Sequence, residues 1–238
     1  MAENDPELLV GADGWMHSRW EGTFYPDDLP EDWRLAYYAN EFAIVVIEQK
    51  AWEYLRQDPA VMTEWLAETE SGLQFVCEIP VDCSEQELIS YLSVVHQLND
   101  ACIGVILVAN NSNNKSPDDF LVTAMLNQLP VDLPCVLDFT ELPEPLILLQ
   151  WQQQYPLTIC WHARPEATDP LWDRVNAVHQ TIVVVRIPSG LFNLRQLRGV
   201  IETACKKAGE NTKVMLIVEG EPPDIELMRN AKLIYDML

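Results

Sequence analysis

The chain reads as a single (β/α)8, or TIM, barrel over residues 1–238. Three observations predict it. Short apolar runs alternate with longer amphipathic stretches from end to end, and there are about eight such pairs. The length of 238 residues is near the ~250 usual for this architecture. The runs are rich in Val, Ile and Leu without clean polar alternation, the pattern of strands covered on both faces in a parallel sheet. An open doubly wound sheet is the alternative; it needs a switch point, and no Gly-rich phosphate turn marks one.

The elements follow in order. Run 8–12 precedes a helical stretch at 31–40, and run 43–47 precedes one at 59–69. Run 73–79 leads to a helix at 84–98 that opens Ser84-Glu85-Gln86-Glu87, a capping box with Glu three residues after Ser. After run 103–109 comes a polar loop at 110–114. Ser116 is then read as a cap, with Pro117 at the first helical position and Asp118 and Asp119 in the first turn. Run 134–138 pairs with a helix at 144–154, run 157–161 with one at 170–178, and run 181–187 with one at 191–208. The last of these ends in Lys206, Lys207 and Gly209, a helix stop signal. Run 214–218 and a helix at 223–238 close the chain.

Hydrophobic residues at 48% can fill a sizeable core, and 22% charged residues fit a globular chain. Lys and Arg total 15 against 37 Asp and Glu, a net charge of −22. Such a surface repels phosphate backbones and anionic membranes. Nucleic-acid processing is therefore disfavoured, and the partners left open are a small, cationic ligand or a basic protein. The six cysteines are scattered with no CxxC pair, as in a reducing compartment, and Cys77, Cys135 and Cys160 sit in apolar runs as small hydrophobes. The N-terminus has no signal-like core, and run 101–109 is too short to cross a bilayer. The cytoplasm is the expected location.

The opening stretch carries more information. It reads Gly11-Ala12-Asp13-Gly14-Trp15, then Trp20, Gly22, Phe24-Tyr25-Pro26, Leu29-Pro30, Trp33, Tyr37-Tyr38 and Phe42. This order and spacing resemble the start of the YecE-like family, domain of unknown function 72. The resemblance implies a TIM barrel and supplies no reaction. It extends over nearly the whole chain, with Asn230-Ala231 and Leu233 similar to the family's last helix, but it is specific only in the first fifth. This chain departs from the family at the barrel mouth. Where relatives have Ser before Gly-Trp it has Asp13. A family Glu in the second strand is Val46, with Glu48 at the next inward position, and an inward Lys in the third is Glu78. In the seventh strand Arg186 is kept, while the following His has become Pro188; the eighth carries Glu219 where relatives have paired Asn.

In such barrels the site lies at the C-terminal strand ends. The catalytic candidates are Asp13, Glu48, Glu78, Arg186 and His162; the ligand-binding candidates are Trp15, Lys50, Asp138, Arg164 and Glu219. Asp13, Glu48 and Glu78 on adjacent strands can hold a hard divalent cation, the one cofactor candidate, or instead pair with Lys50 and Arg186 or splay into water. Arg186 can grip an anion or act as a counter-ion. His162 can be a general acid or base, or simply a solvated loop residue. The aromatics of the first loop form either a stacking wall or packing for that loop. No H-E-x-x-H, His-x-His or Cys pair marks a zinc site, and no G-x-S-x-G marks a serine hydrolase. The functional expectation is a binding protein or degenerate enzyme. Its alternative is a cation-assisted hydrolase or isomerase with an acidic mouth.

Overall fold

A computed structural model describes residues 5–48, 51–52, 55, 60–68, 72–109, 118–139, 144–165 and 182–238. Among these residues nine strand segments run in parallel: β1 Glu7–Asp13, β2 Ile44–Ile47, β3 Gln74–Pro80, β4 Cys102–Val108, β5 Cys135–Asp138, β6 Leu157–Ile159, β7 Trp161–His162, β8 Ile182–Pro188 and β9 Lys213–Glu219. Their order is β6-β5-β4-β3-β2-β1-β9-β8-β7. The two ends of that order, β6 and β7, are halves of one strand parted only by Cys160. The lower half bonds to β5 and the upper half to β8. The sheet thus comes round on itself as a nearly closed barrel, with eight strand positions for nine segments.

Seven α-helices are described: α1 Arg34–Ala39, α2 Ala60–Glu68, α3 Glu85–Leu98, α4 Asp119–Leu126, α5 Pro145–Gln154, α6 Leu194–Ala208 and α7 Ile225–Asp236. The Ser84–Glu87 capping box is present at the start of α3. The starts of α1 and α7 move to Arg34 and Ile225, and those of α4 and α6 differ from the sequence reading in their caps. The cap of α4 is Asp118, which accepts from the Phe120 amide; Ser116 and Pro117 lie outside the described residues. Helix α6 begins at Leu194, capped by a reciprocal Asn193–Gln196 pair that Asn and Gln form as well as Ser and Glu do. The loop at 110–114, the helix at 170–178 and Lys50 also lie outside the described residues.

Two apolar clusters organise the molecule. The larger packs one face of every strand against the helices and includes Val10, Val45, Cys77, Leu107, Val185 and Leu216. The smaller fills the barrel interior with Leu9, Ile44, Val46, Val76, Ile106, Val136, Cys160, Ile182, Val184, Met215 and Ile217. Successive strand residues face opposite sides, so these interior positions fix what stands above them. Asp13 follows Leu9 and Gly11, Glu48 follows Val46, Glu78 follows Val76, Asp138 follows Val136, His162 follows Cys160, Arg186 follows Val184 and Glu219 follows Ile217. Gly11 is required in this ring: a Cβ there would lie 2.1 Å from the Ile44 carbonyl oxygen.

Candidate functional site

At the upper end of the barrel, carboxylates surround the guanidinium of Arg186. Arg186 is 3% exposed. Its Nη1 donates to both oxygens of Asp13 at 2.9 Å and to Glu219 Oε1 at 3.3 Å, and its Nη2 donates to Glu78 Oε2 at 2.9 Å. Its Nε lies 2.8 Å from Asp138 Oδ2, an ion pair without the alignment of a hydrogen bond. Four acids from β1, β3, β5 and β9 therefore converge on a side chain from β8. The fifth, Glu48, stands just past β2: a Cβ on Gly14 would come within 2.8 Å of its Oε1, and Gly14 itself needs its positive φ of 71°. Strand β1 lies between β2 and β9, so Asp13 has Glu48 on one side and Glu219 on the other.

His162 is beside Arg186 in the β7–β8 register, and its Nε2 is 2.6 Å from Asp138 Oδ1. It sits on a strand end in an ion pair, rather than in a solvated loop. Cys160, two residues earlier, shares its face, and its Sγ lies within 4.8 Å of ligand atoms of both Asp138 and His162. The sequence reading placed Cys160 among plain hydrophobes; its i, i+2 spacing from His162 was the signal that both enter the barrel.

The electrostatics follow from this crowding. Burial raises Asp13 to about 6; Glu219 and Glu48 push the same way, and Arg186 opposes them. Burial also raises Glu78 against the pull of Arg186. Asp138 goes the other way: burial works to raise it, but the hydrogen bond from His162 and the charge of Arg186 prevail and hold it below the usual carboxylate range. The hydrogen bond that His162 donates to Asp138 raises the imidazole. Burial disfavours the Arg186 charge, yet Asp13 and its fellow acids hold it protonated.

Other candidates fall away from this cluster. Trp15 is 2% exposed, its ring set edge-on at 4.6 Å from Trp65, so it offers no free stacking face. Trp20, Phe24, Tyr25 and Tyr38 are buried with it, and the Tyr25 hydroxyl donates to the Trp15 carbonyl. Trp15, Trp20, Phe24, Tyr25 and Tyr38 pack into the larger cluster between strands and helices, while Trp33 is exposed. Arg164 is exposed and donates to its neighbour's carbonyl at Ala163. Arg186 turns its donors to four carboxylates. The hard-cation arrangement of Asp13, Glu48 and Glu78 is altered for the same reason, since the guanidinium already stands between Asp13 and Glu78. All six cysteines are free. No described helix is long and apolar enough to cross a membrane.

Comparison with known proteins agrees with the architecture. A DUF72 family protein from Thermotoga maritima MSB8 superposes with a TM-score of 0.71 at 14% identity, over 97% of this chain and 98% of that one. A DUF72 family protein from Enterococcus faecalis V583 gives 0.70 at 13%, again over 97% and 98%. A psychrophilic glycoside hydrolase family 10 endo-β-1,4-xylanase gives 0.53 at 9%, over 95% and 96%, a likeness of fold alone. No curated protein sequence matches significantly. The family model described as protein of unknown function DUF72 matches residues 9–238, and the chain belongs to that family.

Proposed function

We propose that the protein binds a small, positively charged ligand in the mouth of its barrel. The charge count at the rim supports this best: among the described residues, Asp13, Glu48, Glu78, Asp138 and Glu219 share the site with the Arg186 guanidinium and the His162 imidazole. Carboxylates this close take up protons or draw in a cation. Arg186 meets the charge deepest in the barrel, so a ligand's charge is met further out, where Glu48 and Glu219 flank Asp13. The test is calorimetric titration of the full chain with 1,4-diaminobutane, Mg²⁺ and Ca²⁺ at low ionic strength. Binding should weaken about two- to fivefold in each of E48Q and E219Q. Absence of binding by every cation overturns the reading.

A second reading rests on Asp13 and Asp138. Their surroundings push them apart, one towards holding its proton and one towards losing it, while both contact Arg186. Such a divergent pair suits acid–base chemistry of the hydrolase or isomerase kind. It predicts a turnover that D13N and D138N each abolish. The excess surface charge makes a basic protein the other partner class, and binding of that kind is lost steeply as salt rises.

A further inference from the structure

We infer that the mouth also contains a site for a borderline transition-metal ion of the zinc class, formed by Asp138, Cys160 and His162 with one coordination position open. This deepens the cation-binding reading and rests on it, because the same surplus of acids must offset the ion's charge beside Arg186. The ligand atoms of the three residues all lie within 4.8 Å of one another. They mix carboxylate, thiol and imidazole, a donor set that suits zinc, cobalt or iron better than calcium or magnesium.

The fold explains the convergence. Cys160 and His162 stand two residues apart on the split sixth strand, so both face inward, and Asp138 ends the strand paired with its lower half. Cys160 is buried, which keeps the thiol from bulk water, while the His162 side chain is 37% exposed and leaves the outward side open to a water or ligand. Zinc bonds of about 2.0–2.1 Å to N and O set two tetrahedral ligand atoms about 3.3 Å apart. The His162–Asp138 contact of 2.6 Å would have to open by roughly 0.7 Å for that geometry. Arg186 keeps Asp13, Glu78 and Glu219 as partners when Asp138 turns to the ion. The thiol proton and any proton shared by His162 and Asp138 leave to solvent on binding, as coordination requires.

The test is Co²⁺ titration of the full-length reduced protein, followed by visible and near-ultraviolet absorption, with Zn²⁺ as competitor. One equivalent should produce tetrahedral visible bands together with a thiolate-to-cobalt charge-transfer band, and Zn²⁺ should remove both. In C160S the charge-transfer band should vanish and affinity fall at least about tenfold, with 1,4-diaminobutane binding unchanged. Absence of the charge-transfer band in the wild-type protein overturns the site, and so does a band that survives in C160S, which would assign it to another cysteine. The wild-type spectrum decides the matter even where C160S folds poorly. Diamine binding that persists without the thiolate band sinks the metal site alone; loss of both sinks the cation reading as well.

Discussion

At the scale of single residues, Arg186 and Asp13 carry the account. Removing a buried charge leaves its partners unpaired, a loss of about 3–5 kcal/mol. R186M should therefore lower stability by that order in urea unfolding, more at pH 8 than at pH 5, where the acids can take up protons. Asp13 makes a prediction of opposite character. Its folded pKa of about 6 lies above the unfolded value, so it favours the folded state fully below about pH 4 and this contribution is lost as pH rises through 6. Relative to D13N, the wild type should lose about 2–3 kcal/mol between pH 4 and pH 7. A difference that stays flat with pH removes the assignment. Much of this cluster was legible in the sequence. Strand-end position and the period of two place Asp13, Glu48, Glu78, Asp138, His162, Arg186 and Glu219 at the rim. What the sequence does not carry is the pairing: Arg186 reaches acids on strands not adjacent to its own, a distance set only by closure of the ring. Cys160 was missed because an apolar run by itself reads the same whether a side chain faces the barrel interior or the helices, and only the spacing from His162 tells the two apart.

At the scale of elements, local chemistry and packing agree. The α3 and α6 starts each close a reciprocal capping box. S84A and N193A should each cost about 1 kcal/mol by thermal or urea unfolding, and should leave cation binding unchanged. The Ser84 cap was legible because Ser-x-x-Glu is the familiar pattern; Asn193 was obscured by the apolar Leu191 and Phe192 before it, which extend the helical periodicity backwards. The sixth strand illustrates a different limit. Run 157–161 is one stretch in sequence and two ladder segments in space, because pairing passes from β5 to β8 at Cys160. Sequence periodicity registers apolar character and is blind to which neighbour a backbone bonds. G11A tests the packing of β1 on β2: the added methyl meets the Ile44 carbonyl, and the variant should be among the most destabilising single methyl additions in the chain.

At the scale of the whole molecule, the net charge of −22 and the barrel shape act together. Self-repulsion of this size opposes compactness and is screened by salt. The melting temperature should rise with NaCl up to a few tenths molar, and divalent cations that bind the mouth should raise it further at equal ionic strength. The overall architecture was the most legible feature of all. Eight apolar runs spaced by helices leave few ways to bury every strand on both faces, and closure into a barrel satisfies all of them. A specific function was not legible, because strand-end side chains reveal charges and donors but not the ligand they serve.

The direct measurement is a carboxyl-detected NMR titration of Asp13 with and without 1,4-diaminobutane. An over-negative mouth that accepts cations predicts a midpoint near 6 that moves down when the diamine is added. A midpoint in the ordinary aspartate range, or one the diamine leaves in place, contradicts it.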